Sequence, residues 1–174
     1  MDKVVIMRGP SGFGKSTHAK ENFPDYAVTV SADDFWWRKF VGAVHHATNP
    51  TKVENGSTYE YVFNPYKLGE AHADCMRRFL LALKDGKEPS APENAIVILD
   101  NTSIKKWEYA HYVEAASLGG YAVEVHEPDV ANLTVENIRE MHKRGQHSVP
   151  YEIIFKQCME FEPDPNAIII PFHK

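Results

Sequence analysis

The stretch Gly9-Pro10-Ser11-Gly12-Phe13-Gly14-Lys15-Ser16 fits the pattern GxxxxGK[ST], which is typical of a phosphate-binding loop. It follows an apolar run at residues 4–7 and precedes a helical pattern at residues 16–22, so it has the strand–loop–helix context that the motif requires. Backbone N–H groups of such a loop surround phosphate oxygens, its glycines allow the close approach, and the following helix adds its N-terminal dipole. The sequence therefore predicts a site for a nucleoside triphosphate.

The last two residues of the loop have separate tasks in phosphoryl transfer. Lys15 is expected to reach the β- and γ-phosphates of ATP, and the Ser16 hydroxyl is expected to hold Mg²⁺. We therefore expect ATP and Mg²⁺ as cofactors. The nucleotide contacts expected from the loop and its helix are Gly9, Pro10, Ser11, Gly12, Phe13, Gly14, Lys15, Ser16 and Thr17.

Composition indicates an ordinary globular chain, with 174 residues, 43% hydrophobic residues and 25% charged residues. This length predicts one domain over residues 1–174. The net charge of −5 argues against nonspecific, field-driven nucleic-acid binding but leaves a local basic groove open. The chain begins directly with a strand-like run, and its apolar runs are too short to span a bilayer, so we expect a cytoplasmic protein (host cytoplasm if a phage encodes it) with no membrane partner. Cys75 and Cys158 are expected to be buried free thiols.

Strand-like and helical patterns alternate along the chain. Strands are expected at 4–8, 27–31, 95–99, 121–126 and 167–170, and helices at 16–22, 65–84, 105–118, 135–143 and 150–159. The alternation predicts an α/β fold with a central, mostly parallel five-stranded sheet between layers of helices. The first, third and last strand runs are continuously apolar, as expected of strands buried on both faces.

Two segments do not fit this alternation. Residues 40–64 form a polar, turn-rich insertion with no clear period, and a loop of that length is usually functional. Residues 134–149 include a short basic segment with the character of a lid.

The pair Asp33-Asp34 comes directly after the second strand run. Strand carboxyl ends face the ligand crevice of an open α/β sheet, so these carboxylates are expected near the transferred phosphoryl group. A kinase needs one carboxylate to orient the acceptor hydroxyl and take its proton. The alternative is a helix cap ahead of Phe35, and the two residues can divide the two tasks.

Asp100 ends the apolar run of residues 96–99, which has the form of a Walker B strand. Its carboxylate is expected to approach Mg²⁺, directly or through water, or to lie on the acceptor side of the site. The alternative is a cap for the turn that follows it, Asn101-Thr102-Ser103.

Two further clusters combine charge with other chemistry. Arg139, Lys143 and Arg144 precede Gly145 and are able to close over the nucleotide phosphates, although basic residues more often form a solvated helix face. The second cluster can stack a nucleobase and hold a phosphodiester, or it can place one tryptophan in the core and one at the surface. Its residues are Trp36, Trp37, Arg38, Lys39 and Phe40.

These motifs together resemble the P-loop 5′-polynucleotide kinases over nearly the whole chain. The resemblance is carried by the phosphate-binding loop, Asp33-Asp34-Phe35, Asp100-Asn101-Thr102 and the lid motif Lys143-Arg144-Gly145-Gln146-His147-Ser148-Val149-Pro150. The block Tyr61-Val62-Phe63-Asn64-Pro65 is similar to a sub-branch that includes phage proteins and the kinase domain of a ubiquitin-ligase-binding protein.

The resemblance implies a kinase that moves the γ-phosphoryl group of ATP onto a hydroxyl of nucleic acid, such as a 5′-hydroxyl end of DNA or RNA. It implies that Asp33 is the general base and Arg144 the lid cation. Together, the motifs and the resemblance predict Asp33, Lys15 and Arg144 as catalytic residues. The expected contacts from the lid to the nucleotide are Arg139 and Arg144, and the expected metal ligands are Ser16 and Asp100. The expected acceptor contacts are Asp34, Trp36, Trp37, Arg38, Asp100, Asn101 and Thr102.

One departure from the family pattern keeps other acceptors open. Trp36 stands where the bacteriophage enzyme has an arginine, three residues after its catalytic aspartate. A related phage group phosphorylates the hydroxymethyl group of a modified pyrimidine, such as 5-hydroxymethyluracil within DNA, and the chain resembles that group about equally. A small-molecule or nucleoside kinase and a non-catalytic, nucleotide-gated binding module are the remaining alternatives. The sequence does not determine the acceptor or the oligomeric state.

Overall fold

The computed structural model describes residues 1–40, 49–145 and 149–172. The predicted insertion and the predicted lid therefore each lie partly outside the described residues, at 41–48 and 146–148. The described strands are β1 (Lys3–Met7), β2 (Val28–Val30), β3 (Trp37–Lys39), β4 (Thr51–Glu54), β5 (Ser57–Tyr61), β6 (Ile96–Asp100), β7 (Ala122–Pro128) and β8 (Ile168–Ile170). The helices are α1 (Lys15–Asn22), α2 (Leu68–Asp85), α3 (Trp107–Leu118), α4 (Val135–Arg144) and α5 (Tyr151–Glu160).

Five parallel strands form the central sheet in the order β2-β6-β1-β7-β8, which confirms the predicted α/β fold. β1 lies in the middle, and its residues 4–7 are fully buried. Because side chains alternate along a strand, Val4 and Ile6 join the core cluster with residues of α2 and α3. Val5 and Met7 join the cluster with residues of α1, α4 and α5. Helices therefore cover both faces of the sheet, as the sequence predicts.

The expectation that the last strand is buried on both faces is wrong. Ile168 and Ile169 of β8 are 48% and 55% exposed. β8 is an edge strand that pairs only with β7 among the described strands, so neighbours cover it incompletely. An apolar run alone does not separate an edge strand from a central one.

The segment predicted as an insertion without a period contains regular structure. β3, β5 and β4 form a separate antiparallel sheet in that order. β4 and β5 are joined by Asn55 and Gly56, both at positive φ (48° and 71°), which is the geometry of a two-residue type I′ hairpin. The hairpin signal is present in the sequence as Asn-Gly, and the short strands beside it hide the period.

The helix that carries the basic cluster is fixed at its start by a capping box. The Thr134 hydroxyl accepts from the Asn137 backbone N–H (3.2 Å), and the Asn137 side-chain oxygen accepts from the Thr134 N–H (2.9 Å). Ile138 and Met141 bury the inner face of α4 against the central sheet's core. Arg144 follows Met141 by three residues and is thereby carried toward the phosphate-binding loop.

Two further observations concern the described residues as a whole. None of the described helices combines the length and the apolar character needed to cross a membrane. Both cysteines are free thiols, as the sequence predicts, but the predicted burial is confirmed only for Cys75, because Cys158 is partly exposed.

Candidate active site

The phosphate-binding loop lies between β1 and α1 and packs tightly against its neighbours. Gly12 has a φ of 75°, and a Cβ atom there would lie 2.2 Å from the carbonyl oxygen of Met141 in α4. A Cβ atom at Gly9 would lie 2.7 Å from a ring carbon of Pro128 at the end of β7. The glycines therefore set how closely α4 and β7 approach the loop, in addition to allowing phosphate to approach it.

Lys15 is buried at the start of α1 with its ammonium group turned back onto the loop. Its Nζ donates to the carbonyl oxygens of Gly9 (3.0 Å) and Pro10 (3.2 Å). Burial lowers the pKa of Lys15, and the carboxylates of Asp100 and Asp33 oppose that shift. Two carboxylates that follow two different strands therefore stabilise the charged form of one ammonium group, as expected where parallel strands end at one edge of the sheet.

Ser16 and Asp100 are brought together by the register of the central sheet. Asp100 pairs with Met7 at the end of β1, and its Oδ2 accepts from the Ser16 hydroxyl at 2.6 Å. These oxygens suit Mg²⁺, which is usually held by one or two carboxylates together with waters and substrate phosphates. Among the described residues no group of three or more His, Cys, Asp or Glu residues forms a site that is able to hold a metal ion. The donor set therefore fits Mg²⁺ only in company with a bound nucleotide.

The neighbouring carboxylates of Asp33 and Asp34 have different partners. Ser31 caps a 3₁₀ turn over Ala32–Trp36, and Asp34 completes the capping box by accepting from the Ser31 N–H (3.2 Å). Asp34 also forms an ion pair with Arg78 of α2 (2.8 Å). Asp33 Oδ1 instead accepts from the Tyr61 hydroxyl at 3.1 Å. The cap is thus formed by Ser31 and Asp34, whereas the Asp33 carboxylate is the one that stabilises the charged form of Lys15.

Tyr61 is a buried residue at the end of β5. Burial raises the pKa of Tyr61, and the neighbouring Asp33 carboxylate raises it further. The phenol is therefore protonated at neutral pH and donates to Asp33. The antiparallel sheet is in this way joined directly to a candidate catalytic carboxylate.

The turn after β6 holds other parts of the site in place. Asn101 Oδ1 accepts from the Ala32 N–H (2.9 Å), and its Nδ2 donates to the Cys75 sulfur (3.6 Å). The Thr102 carbonyl accepts from the Gly9 N–H at 2.7 Å. Asn101 and Thr102 were expected at the acceptor, and the structure places them where they connect β6 to the Asp33 turn and to the phosphate-binding loop.

The structure separates the three aromatic and basic residues expected at the acceptor. Trp36 is 2% exposed and packs edge-on against Phe35 and Phe63, so its ring is not available to an acceptor base. Trp37 is partly exposed on β3, and Arg38 is exposed. Because neighbouring residues of a strand point to opposite faces, Trp37 and Arg38 face opposite sides of the antiparallel sheet. Of these three, Trp37 alone shares a face with Tyr61.

The two arginines expected in the lid also differ. Arg144 donates from Nε to the Gly12 carbonyl (2.8 Å) and from Nη2 to the Phe13 carbonyl (2.6 Å), and its guanidinium lies 4.4 Å from the ring centroid of Phe172. Arg139 is on another side of α4, exposed and paired with Glu136 at 3.2 Å. The structure therefore brings Arg144 to the phosphate-binding loop and does not bring Arg139 there.

Three further residues that position the site were not predicted from the sequence: Arg8, Glu127 and Gln157. Arg8 is fully buried, pairs with Glu127 at 2.8 Å, and donates to the carbonyls of Ser103 and Ile104 (2.9 Å each). It thereby fixes the turn that follows Asp100. Gln157 of α5 accepts from the Ser11 N–H at 2.9 Å. A charged residue at the end of an apolar strand is a signal for Arg8, whereas no sequence pattern indicates Gln157.

The chain belongs to a family of AAA domains, because the model of that family matches residues 4–163. Among curated proteins, human NEDD4-binding protein 2 (Homo sapiens) is 28% identical over 170 residues. The match covers 96% of this chain and 8% of that protein, so the chain spans less than a tenth of the relative's length.

Two solved structures share the fold. A gluconokinase from Sinorhizobium meliloti 1021 has a TM-score of 0.52 and 14% identity, covering 99% of this chain and 83% of that one. Kti12 from Chaetomium thermophilum, in complex with ADP-AlF3, has a TM-score of 0.52 and 16% identity, covering 93% and 82%. At these identities the likeness establishes the fold, and the polynucleotide kinase branch stays a prediction.

Proposed function

We propose that the protein is an ATP-dependent kinase that transfers the γ-phosphoryl group to a hydroxyl of nucleic acid, with a 5′-hydroxyl end of DNA or RNA as the acceptor. One observation carries the proposal. The Asp33 carboxylate accepts a hydrogen bond from Tyr61 and, like the Asp100 carboxylate, stabilises the charged form of Lys15. A protein that only binds nucleotide needs one carboxylate, near the metal ion. An acceptor hydroxyl requires a second carboxylate, and Asp33, which is hydrogen-bonded to a residue of the antiparallel sheet, supplies it.

The residues of the chain divide the reaction between them. Lys15 and the N–H groups of the loop hold the β- and γ-phosphates, and Arg144 at the loop adds positive charge where charge develops. Asp33 orients the acceptor hydroxyl and takes its proton as the oxygen attacks the γ-phosphorus. The bond from that phosphorus to the β–γ bridging oxygen breaks, and ADP leaves with the electron pair. The transfer is in line and needs no covalent intermediate with the protein.

Ser16 and Asp100 are the residues that would hold Mg²⁺, because their oxygens are 2.6 Å apart beside the loop. When bound, the ion neutralises charge on the phosphate oxygens. Two structures that share the fold are consistent with nucleotide chemistry, since one is a gluconokinase and the other is a complex with ADP-AlF3.

A second acceptor is favoured by one observation. Trp36 occupies the position of the arginine that the resemblance leads one to expect near the acceptor, and it is buried. If no other cation replaces that arginine, the acceptor is a hydroxymethyl group on a modified pyrimidine within DNA, such as 5-hydroxymethyluracil.

The proposal is tested by following transfer of label from γ-labelled ATP to a panel of acceptors. The panel contains DNA and RNA with free 5′-hydroxyls, 5′-blocked DNA with and without hydroxymethyl pyrimidines, and free nucleosides and sugars. Label on free 5′ ends supports the proposal, and label on blocked DNA only when it carries the modified base supports the second acceptor. Label on small molecules alone, or on no acceptor, contradicts transfer to nucleic acid.

A further inference from the structure

The antiparallel sheet has two chemically different faces. The register pairs Trp37 with Tyr61, and it pairs Tyr59 with Lys39 on one side and with Lys52 on the other. Paired residues share a face, so one side of the sheet carries Trp37, Lys39, Lys52, Tyr59 and Tyr61, with Ser57 and Glu54 at its outer end beside the hairpin turn. The first five of these residues are here named the cationic–aromatic face. The opposite side carries Arg38, Thr51, Val53, Thr58 and Glu60.

The side chains of the cationic–aromatic face contact one another. Lys52 Nζ lies 4.9 Å from the ring centroid of Trp37 and 6.0 Å from that of Tyr59. The rings of Trp37 and Tyr61 are 5.2 Å apart at their centroids. Lys52 also pairs with Glu54 at 3.1 Å in a solvent-exposed position, where an ion pair contributes little and is readily exchanged. Lysine and aromatic rings are therefore held side by side and partly open to solvent.

This face continues into the candidate active site. Tyr61 lies at the inner end of β5 and donates to Asp33. Tyr59 and Lys52 lie two residues further out, a step of about 7 Å along an extended strand. A ligand whose reacting hydroxyl is at Asp33 and whose body continues outward therefore passes over Tyr59, Lys52 and Lys39.

We infer that the cationic–aromatic face binds the single-stranded segment next to the reacting hydroxyl, with a base against Tyr59 and backbone phosphates against Lys39 and Lys52. The inference rests on the proposed function, because it names the ligand at that same site. Aromatic rings for bases and cations for the backbone are the two features of sequence-tolerant single-strand binding. Two lysines against the single carboxylate of Glu54 give this side of the sheet a local positive charge, in a chain that carries −5 as a whole.

The test measures binding without chemistry. A fluorescent oligothymidylate of about eight nucleotides, a length within the range of single-strand sites, is titrated with the full chain at several salt concentrations. The affected variants are Tyr59→Ala and Lys52→Ala, and the conservative variants are Tyr59→Phe and Lys52→Arg. The controls are Val53→Ala on the opposite face and Lys84→Ala at the end of α2.

Each variant has a distinct expected result. Tyr59→Ala weakens binding about 5- to 100-fold, because stacking contributes that much per base, and Tyr59→Phe keeps the wild-type Kd. The plot of log K against log salt has a negative slope, and Lys52→Ala makes that slope less steep by about 0.7, the value for one contact to a single strand. Lys52→Arg keeps the wild-type slope. A variant that merely damages the fold changes affinity without changing this slope.

The inference is overturned if the wild type does not bind the oligonucleotide, or if Tyr59→Ala and Lys52→Ala bind as the wild type does. Its failure is distinct from that of the proposed function. If these variants weaken oligonucleotide binding but the transfer assay labels no nucleic acid, the proposed transfer to nucleic acid is contradicted and the inference about the cationic–aromatic face is supported. If both variants transfer phosphate to nucleic acid with the wild-type KM for that acceptor, the proposed function is supported and the inference about the face is contradicted.

Discussion

Asp33 and Asp34 carry the same functional group one residue apart, and their surroundings give them different partners. Asp34 completes the box with Ser31 and pairs with Arg78, whereas Asp33 accepts from Tyr61 and acts on Lys15. The residues alone leave open which of the two takes which task, and the resemblance to the P-loop polynucleotide kinases predicts Asp33 as the base. The contacts that distinguish the two carboxylates depend on a 3₁₀ turn and on a tyrosine 28 residues away, and neither follows a sequence period.

Tyr61 is predicted to position the Asp33 carboxylate through its hydroxyl. Tyr61→Phe removes that donor and keeps the ring, so we expect kcat to fall about tenfold, the value of one hydrogen bond to a charged group. KM for ATP is expected to stay unchanged, because the lost hydrogen bond is to Asp33, the carboxylate proposed for the acceptor. Steady-state kinetics with the acceptor found in the transfer assay measure both values.

The matched control is Tyr121→Phe. The Tyr121 hydroxyl donates to the carbonyl of Leu83 at 2.7 Å, next to the amino end of β7 and away from the site, so its loss is expected to lower stability without changing kcat. Equal kcat for wild type and Tyr61→Phe contradicts the positioning role of Tyr61.

Among the elements, the close contact between the phosphate-binding loop and α4 decides whether the lid arginine reaches the loop. Gly12 lies against the Met141 carbonyl, and Arg144 donates to the Gly12 carbonyl. The sequence predicts both the loop and the helix, since each has a strong local pattern. It does not predict their distance, because that depends on how Ile138 and Met141 pack in the core.

Gly12→Ala is predicted to separate α4 from the loop. The new Cβ meets backbone that cannot rotate away, so we expect the Kd for ATP to rise about tenfold or more, equivalent to at least about 1.4 kcal/mol. Isothermal titration calorimetry with ATP measures this change.

Gly56→Ala is the control for backbone strain alone. Gly56 has a similar φ of 71°, and a Cβ atom there would meet nothing within 4 Å. This variant is expected to lose about 1–2 kcal/mol of stability from the left-handed conformation and to bind ATP as the wild type does. If Gly12→Ala and the wild type bind ATP with equal affinity, the close contact between Gly12 and α4 does not determine ATP binding.

In the molecule as a whole, a chain of polar groups joins α1, β7 and β1, with histidines buried at one end and partly exposed charges at the other. His126 Nδ1 lies 3.3 Å from His18 Nε2, and its Nε2 lies 3.4 Å from Glu124. Glu124 pairs with Lys3 at 2.6 Å. Burial lowers the pKa of His126, and Glu124 opposes the shift. The strand that carries His126 was predicted as a strand-like run at 121–126, but the polar chain depends on pairing between distant elements.

This lowered pKa predicts that acidification destabilises the fold. The unfolded histidine has a pKa of about 6.5, so between that value and the lower folded pKa the unfolded chain binds a proton that the folded chain does not. The free energy of unfolding therefore falls as pH drops below about 6.5, with a slope from this group of at most about 1.4 kcal/mol per pH unit.

Urea denaturation of the wild type and of His126→Gln at several pH values from about 5 to 8 measures this effect. Glutamine keeps a neutral polar group and does not titrate, so its curve is expected to be flatter over the acidic part of the range. Identical pH dependence in the two proteins contradicts the assignment to His126.

At the scale of the whole fold, local patterns predict most of what is observed. The phosphate-binding loop, the parallel strands and the five helices follow from apolar periods and end signals near each element. The edge position of β8, the antiparallel sheet and the buried pair of Arg8 with Glu127 were not predicted. Each of these depends on which distant segments meet, and that information is not present in any local period.

The most direct test of the central claim is a comparison of Asp33→Asn with Asp34→Asn for ATP binding and for phosphoryl transfer. We expect Asp33→Asn to bind ATP with wild-type affinity and to lose about 10²- to 10⁴-fold in kcat, because an amide cannot take the proton of the acceptor. Asp34→Asn is expected to lose stability with its ion pair to Arg78 and to keep kcat within about tenfold of the wild type. Wild-type transfer by Asp33→Asn would show that Asp33 is not the base and that the geometry around Lys15 has another purpose.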